Sequence, residues 1–105
     1  MADDACIVMT TVADAEQAKG LARAVIEARL AGCAQTLPIS SCYRWEGRIV
    51  EDGEQMILFK TMTERYVALE AFLIERHPYE VPEIVRLPAD GVSEKYRDWL
   101  AGEVR

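Results

Sequence analysis

The stretch Glu54–Met62, which reads EQMILFKTM, decides the fold because four consecutive apolar residues, 56–59, stand at its centre. A run of this length with flanking turn signals predicts a β-strand. A strand with one solvated face alternates apolar and polar residues, whereas an unbroken apolar run indicates burial on both faces. We therefore expect protein to cover this strand from two sides.

The residues before this strand predict a long, bent β-hairpin. Cys33–Trp45 is rich in β-branched and aromatic residues and predicts a strand, in which Pro38 removes a backbone donor and favours an edge position or a bulge. The Glu-Gly pair at 46–47 predicts a turn, after which residues 48–50 pair back. The Asp-Gly pair at 52–53 predicts a second turn or a bulge.

The N-terminal part predicts a strand followed by a helix. Ala5–Thr11 is apolar on both pleat faces and reads as a central strand. Asp14 is a helix N-cap with Gln17 at the capping-box position. Apolar residues then recur with helical spacing as far as Leu30, and we expect Gly32 to stop the helix.

The C-terminal part predicts helix, strand and helix. A second helix capped by Thr63 is expected to end at His77-Pro78. Val81–Leu87 is a short apolar run between prolines and predicts the fourth strand. Ser93 predicts the cap of a last helix.

The predicted order, β-α-β-β-α-β plus a C-terminal helix, is that of an α+β ferredoxin-like split βαβ sandwich with one antiparallel sheet. Both main helices then lie on one face of the sheet. The last helix, of about ten residues, is too small to shield the other face of a four-stranded sheet with a long hairpin. We therefore expect another copy of the chain to cover it.

Length and charge limit the other possibilities. The chain has 105 residues, which predicts a single domain over residues 1–105. Its net charge of −6 argues against nucleic acid as a partner, because such binding requires clustered Lys and Arg. Residues 55–60 of the predicted third strand also lack the Arg/Lys-Gly-aromatic run of RNA-binding domains of this fold.

The sequence predicts a cytoplasmic protein that does not associate with membranes. The N-terminus is acidic and lacks the features of a secretory signal, and no apolar run approaches the roughly 18 residues of a membrane span. Three cysteines without CxxC spacing predict reduced thiols rather than a disulfide framework or a zinc knuckle.

Five short motifs are distributed over nearly the whole chain: Ala31–Gln35 (AGCAQ), Ser41–Ile49 (SCYRWEGRI), Lys60-Thr61, His77–Ile84 (HPYEVPEI) and Tyr96–Leu100 (YRDWL). Together they resemble those of the CutA family, small trimeric proteins associated with divalent-cation tolerance. The resemblance implies a ferredoxin-like homotrimer whose hairpins reach neighbouring subunits and extend the sheets across the interfaces. It also implies kinship in shape with the PII signalling trimers, which hold small ligands between subunits.

The resemblance further implies metal ligands. In the family, copper is assigned to sulfur and imidazole donors, and the histidine before Pro-Tyr matches His77, while the first-strand position matches Met9. Cys33 is a second candidate. Each has a structural alternative, since a histidine at a helix end can satisfy terminal carbonyls and a buried cysteine commonly packs as a small apolar residue.

A group of aromatic and charged side chains is implied where the hairpin of one subunit meets the strand ends of another. The group comprises Tyr43, Trp45, Glu46, Lys60, Tyr79 and Glu80. Aromatic rings with a few convergent charges are typical of a ligand cleft. They are equally typical of a subunit interface, where Tyr and Trp bury large areas.

Three functions follow, none of them enzymatic, because no nucleophile with a base, paired carboxylates or phosphate-binding loop is present. The leading hypothesis is a homotrimer that needs no cofactor, binds copper or other divalent ions weakly and contributes to metal tolerance. The second is a PII-like module that binds a small anionic ligand between subunits through Lys60. The third is a trimer that organises partner proteins.

Overall fold

The computed structural model describes residues 4–105, in which strands and helices follow the predicted order. The strands are β1 (Ala5–Val12), β2 (Cys33–Trp45), β3 (Arg48–Met62) and β4 (Val85–Pro88). The helices are α1 (Ala15–Glu27), α2 (Tyr66–Arg76) and α3 (Glu94–Glu103), and a 3₁₀ turn at Thr63–Arg65 leads into α2.

The four strands form one sheet in the order β2-β3-β1-β4, and each neighbouring pair is antiparallel. This is the ferredoxin-like arrangement, so the predicted fold class is confirmed. Pro38 lies on β2, which is an edge strand. A residue without a backbone N–H is tolerated there, because an edge strand has a neighbour on one side only. None of the helices within residues 4–105 is both long and apolar enough to cross a membrane.

Helices α1 and α2 cover one face of the sheet, which we call the covered face. Alternate residues of the central strands point to it, among them Val8 of β1 and Phe59 of β3, and both are fully buried. They pack with apolar residues of the two helices. The helix residues in this cluster are Ala18, Leu21 and Val25 of α1 and Leu69 and Leu73 of α2.

The other face, which we call the open face, carries apolar side chains without helices over most of its area. Pairing places Ile7 beside Leu87 and Met9 beside Val85 and Leu58, all with side chains on this face. Ile7, Met9 and Leu58 are half-buried, and Val85 and Leu87 are exposed.

Helix α3 covers only one end of the open face. Leu100 and Val104 pack on Ala5 and Met62, the first and last residues of the paired region of β1 and β3. Gly32 allows this close approach, because a Cβ atom there would lie 2.7 Å from Leu100 Cδ1.

The hairpin lacks one interruption that the sequence predicts. The predicted turn or bulge at 52–53 is wrong, because Asp52 pairs with Ser41 and Gly53 with Ser40 in uninterrupted register. Cross-strand pairing outweighs the local turn preference of the Asp-Gly pair. The turn lies at 46–47 as predicted, where Glu46 (φ 50°) and Gly47 (φ 78°) adopt left-handed backbone.

The helix boundaries also differ in part from the prediction. Asp14 caps α1 by accepting a bond from the Gln17 amide at 2.8 Å, as expected, but α1 ends at Glu27 and not near Gly32. Arg29 adopts a left-handed conformation (φ 57°), which ends the helix. Leu30 therefore lies outside α1, but its side chain is still buried in the core.

The start of α2 and the extent of β4 are the remaining corrections. Thr63 begins the 3₁₀ turn, and α2 starts after Arg65 without a side-chain cap. Strand β4 is only four residues long because it pairs with residues 6–9 of β1 alone, and residues 81–84 lie outside it.

Candidate functional site

His77 is buried at the C-terminal end of α2, where its backbone amide donates to Leu73 O at 2.8 Å. Its Nε2 lies 2.8 Å from Thr11 O, and the Tyr79 amide donates to its Nδ1 at 3.1 Å. Since a carbonyl oxygen can only accept, Nε2 carries the proton and Nδ1 is the acceptor. Both ring nitrogens are therefore occupied by backbone groups.

The environment of His77 favours the neutral imidazole. Burial lowers the pKa of His77, and the bond to Thr11 O and the nearby carboxylate of Glu54 oppose this effect only in part. His77 thus has the protonation state that a metal ligand needs. A metal at either nitrogen, however, requires that one of the two hydrogen bonds be broken.

Tyr79 connects His77 to the hairpin. Its hydroxyl donates to Glu54 Oε2 at 2.7 Å, and its ring meets the imidazole edge-on with 4.9 Å between the centroids. Burial, followed by the hydrogen bond to Glu54, raises the pKa of Tyr79 strongly. The phenol therefore stays protonated and neutral, and it acts as a fixed donor to the carboxylate.

A cavity of about 760 Å³ lies beside this connection, between the hairpin and residues 79–83. We call it the acidic cleft. Its aromatic lining comprises Tyr43, Trp45 and Tyr79, and its charged lining comprises Arg44, Asp52, Glu54, Glu80 and Glu83. By the alternation of the pleat, Tyr43 and Glu54 project from the open face, so the cleft lies at the end of that face nearest the hairpin.

Tyr43 occupies the hairpin side of the cleft. Its hydroxyl lies 3.5 Å from Asp52 Oδ2, a long and weak hydrogen bond. Desolvation, followed by the charges of Asp52 and Glu54, raises the pKa of the Tyr43 hydroxyl. Like Tyr79, Tyr43 contributes a neutral ring and no charge of its own.

The structure brings together four of the six residues predicted for the cleft. Tyr43, Trp45, Tyr79 and Glu80 line it, whereas Glu46 stands in the hairpin turn. Lys60 lines a separate cavity of about 300 Å³ at the α3 end of the sheet.

Four charged residues of the cleft lining are missing from the predicted group: Arg44, Asp52, Glu54 and Glu83. The sequence predicts Asp52 in a turn and Glu54 at the start of an apolar strand. The available signal was the spacing of two, which puts the carboxylates at 52 and 54 on one face of a continuous strand.

Cys33 and His77 lie far apart in one chain. Cys33 is half-buried at the start of β2 and pairs with Lys60. Burial raises the pKa of the Tyr96 hydroxyl, and the interaction with Cys33 adds to this effect. Cys33 pairs with Lys60 of β3, which in turn pairs with Ile7 of β1. His77 binds Thr11, which lies four residues further along β1. At about 3.3 Å per residue this is about 13 Å along the strand.

The other sulfur candidate, Met9, is half-buried on the open face between Leu58 and Val85. Among residues 4–105 of a single chain, no three His, Cys, Asp or Glu side chains are grouped closely enough to hold a metal ion. High-affinity transition-metal sites have three or four protein donors. The predicted ligands His77 and Cys33 therefore cannot form such a site together within one chain.

Comparison with known proteins identifies the family. A family model described as CutA1 divalent ion tolerance protein matches residues 6–103. The divalent-cation tolerance protein CutA of Thermus thermophilus is 43% identical over 95 residues, which are 90% of this chain and 92% of that protein. The chloroplastic protein CutA of Arabidopsis thaliana is 36% identical over 100 residues, and the match covers 94% of this chain and 55% of that protein.

Solved structures of CutA proteins superpose closely on this chain. The structure of CutA from Synechococcus elongatus superposes with a TM-score of 0.94 at 42% identity, covering 98% of this chain and 92% of that one. The crystal structure of CutA1 from Oryza sativa gives a TM-score of 0.93 at 36% identity, covering 97% and 94% of the two chains. The chain therefore belongs to the CutA1 divalent ion tolerance family.

Proposed function

We propose that this protein acts as a homotrimer that contributes to divalent-cation tolerance by binding copper or other divalent and heavy-metal ions weakly. The observation that carries the proposal is the acidic cleft beside the neutral imidazole of His77. Four carboxylates and one guanidinium line this cleft, so it attracts cations. The names of the relatives, which refer to divalent-cation tolerance, support the same function.

The open face supports assembly. Leu37, Val85 and Leu87 on this face are each about two-fifths exposed (41%, 40% and 42%), beside half-buried apolar neighbours. A continuous apolar surface of this kind on a small domain usually marks an interface. Packing of this face against other copies of the chain would remove it from water.

The hairpin supports the same assembly. β1 pairs with β3 only over Gln55–Met62, so Arg48–Glu54 and the facing part of β2 extend beyond the sheet as a two-stranded ribbon. The chain is correspondingly elongated, at 44 × 25 × 22 Å. A two-stranded ribbon is marginally stable alone, and this one exposes Trp45 and Ile49. Contact with a neighbouring subunit would stabilise it.

Within this proposal, His77 is the first metal ligand and Cys33 the second. Subunit contacts would have to supply further donors, since the two residues are too far apart in one chain. We do not favour an anionic ligand at this cleft, because its lining is mainly acidic and Lys60 lies outside it. We further propose that the protein is cytoplasmic, needs no resident cofactor and is not an enzyme.

Calorimetric titration with Cu²⁺ and with Zn²⁺ tests the metal assignment. We compare the wild type with His77→Gln, because glutamine can donate to Thr11 O and accept from the Tyr79 amide but is a poor transition-metal ligand. We expect the affinity to fall at least about tenfold. Cys33→Ser tests the second ligand in the same way. Unchanged affinity in His77→Gln, with an unchanged melting temperature, would refute the role of His77.

A further inference from the structure

The acidic cleft is much larger than a metal ion requires. Its volume of about 760 Å³ falls within the range of pockets that enclose small organic molecules, roughly 300–1,000 Å³. Its carboxylates are spread around the cavity, and no three of the acidic, cysteine or histidine side chains described in residues 4–105 gather as a metal site would require. Size and spacing therefore fit an organic ligand.

The net charge of the cleft indicates which sign of charge the ligand carries. Its four carboxylates and one guanidinium give an excess of three negative charges, half of the net charge of −6 of the whole chain. The hydroxyls of Tyr43 and Tyr79 donate to Asp52 and Glu54 and remain neutral. No cation lines the cleft besides Arg44, among the residues that the structure describes. An anion would be repelled, and a cation would be attracted.

The aromatic side chains select the chemical class. In the single chain Trp45 and Tyr43 are 40% and 42% exposed, and both rings line the cavity. The faces of such rings attract ammonium groups, and Trp attracts them most strongly. A hydrated divalent ion gains little from a ring face, whereas an alkylated ammonium gains both the electrostatic attraction and the burial of its carbon atoms.

We propose that the acidic cleft binds a small organic cation, an amine or quaternary ammonium compound. Its charged nitrogen is neutralised by the surrounding carboxylates, and its carbon substituents pack against Trp45 and Tyr43. This ligand goes beyond the metal ions of the proposed function. Both proposals use the negative charge of the acidic cleft, but only metal binding requires His77 and Cys33.

Tryptophan fluorescence tests this proposal on the intact oligomer. The chain has two tryptophans, so Trp99→Phe leaves Trp45 as the single reporter. The probe is choline, and its control is 3,3-dimethyl-1-butanol, which has the same shape without the charge. Excess EDTA in every titration removes metal ions, so that failure of metal binding cannot affect the result. We expect saturable change with choline and at least about tenfold weaker binding of the neutral control.

Variants that remove carboxylates test whether choline binds in the acidic cleft. In the Trp99→Phe background, Glu80→Gln combined with Glu83→Gln removes two exposed carboxylates of the cleft for which no hydrogen bond or ion pair is described. Glu16→Gln combined with Glu64→Gln removes the same charge from exposed positions outside the cleft. We expect the first pair to weaken choline binding about fivefold and the second pair to leave it unchanged.

Three results would overturn the proposal: no saturable response to choline, equal binding of the neutral control, or equal effects of the two charge pairs. Acrylamide quenching separates the causes of the first result. If Trp45 in the free oligomer is already shielded from acrylamide, a side chain of a neighbouring subunit fills the cleft instead of an organic cation.

Discussion

The two faces of the sheet are made by the same strands and are both apolar, yet only one is covered by the chain's own helices. On the covered face, Ile57 and Phe59 are fully buried under α1 and α2. On the open face, Met56 and Leu58 of the same strand are half-buried, and Leu87 of β4 is exposed. An apolar run thus indicates that both faces need a cover, but it does not say which chain supplies it.

The largest expected effect lies on the covered face. Phe59→Ala removes a fully buried ring from the centre of the core, and we expect a loss of about 3–5 kcal/mol in the free energy of unfolding. Urea unfolding followed by circular dichroism measures it. Met56→Ala on the open face is the comparison, and we expect its effect to be smaller in a dissociated chain. Equal losses at dilutions where the chain is monomeric would remove the distinction between the faces.

The second prediction concerns the open face. Leu87→Glu places a carboxylate in the proposed subunit contact, where desolvation and repulsion between copies oppose assembly. We expect light scattering to report the mass of a monomer, with the circular dichroism spectrum of a folded chain. Val67→Glu, at a position on α2 that is 77% exposed, is the matched control and should keep the wild-type mass. A wild-type mass for Leu87→Glu would exclude the open face as the interface.

Much of the fold was accessible from sequence because it depends on periodicity and local signals. The Asp14 cap, the Glu46-Gly47 turn and the edge position of Pro38 were confirmed, since each follows from local backbone chemistry. The errors arose where pairing decided the outcome. The 52–53 pair stays in a strand because β2 pairs with it, and β4 is short because of its limited register with β1.

The candidate site could be predicted from the sequence only in part. The resemblance named Tyr43, Trp45, Tyr79 and Glu80, which do meet at the cleft. It also named Lys60, which is on the same strand as Glu54 but six residues away, at the other end of the sheet. Position along a strand, and not membership of a motif, decides which side chains meet. The bond from His77 Nε2 to Thr11 O could not be predicted, because it depends on how the end of α2 is placed against β1.

A third, smaller effect is expected where α3 reaches the open face. In Gly32→Ala, the new Cβ lies 2.7 Å from Leu100 Cδ1, so the buried Leu100 must shift. We expect a loss of about 1–3 kcal/mol from this overpacking. Gly20→Ala is the control, because a Cβ at that position of α1 meets no atom within 4 Å and alanine favours the helix. If Gly32→Ala is as stable as Gly20→Ala in urea, α3 does not pack tightly on this end of the open face.

The smallest effect is expected at the opposite end of the open face, where two tyrosines bind carboxylates with different geometry. Tyr79→Phe removes a 2.7 Å bond to Glu54 from a half-buried site, whereas Tyr43→Phe removes a 3.5 Å contact with Asp52 at an exposed one. We expect losses of about 1–2 kcal/mol and below about 0.5 kcal/mol, because hydrogen bonds to charged groups contribute most when short and shielded from water. Urea unfolding of both variants measures the difference. Equal losses would mean that the hairpin, and not the bond between Tyr79 and Glu54, holds this end of the open face in place.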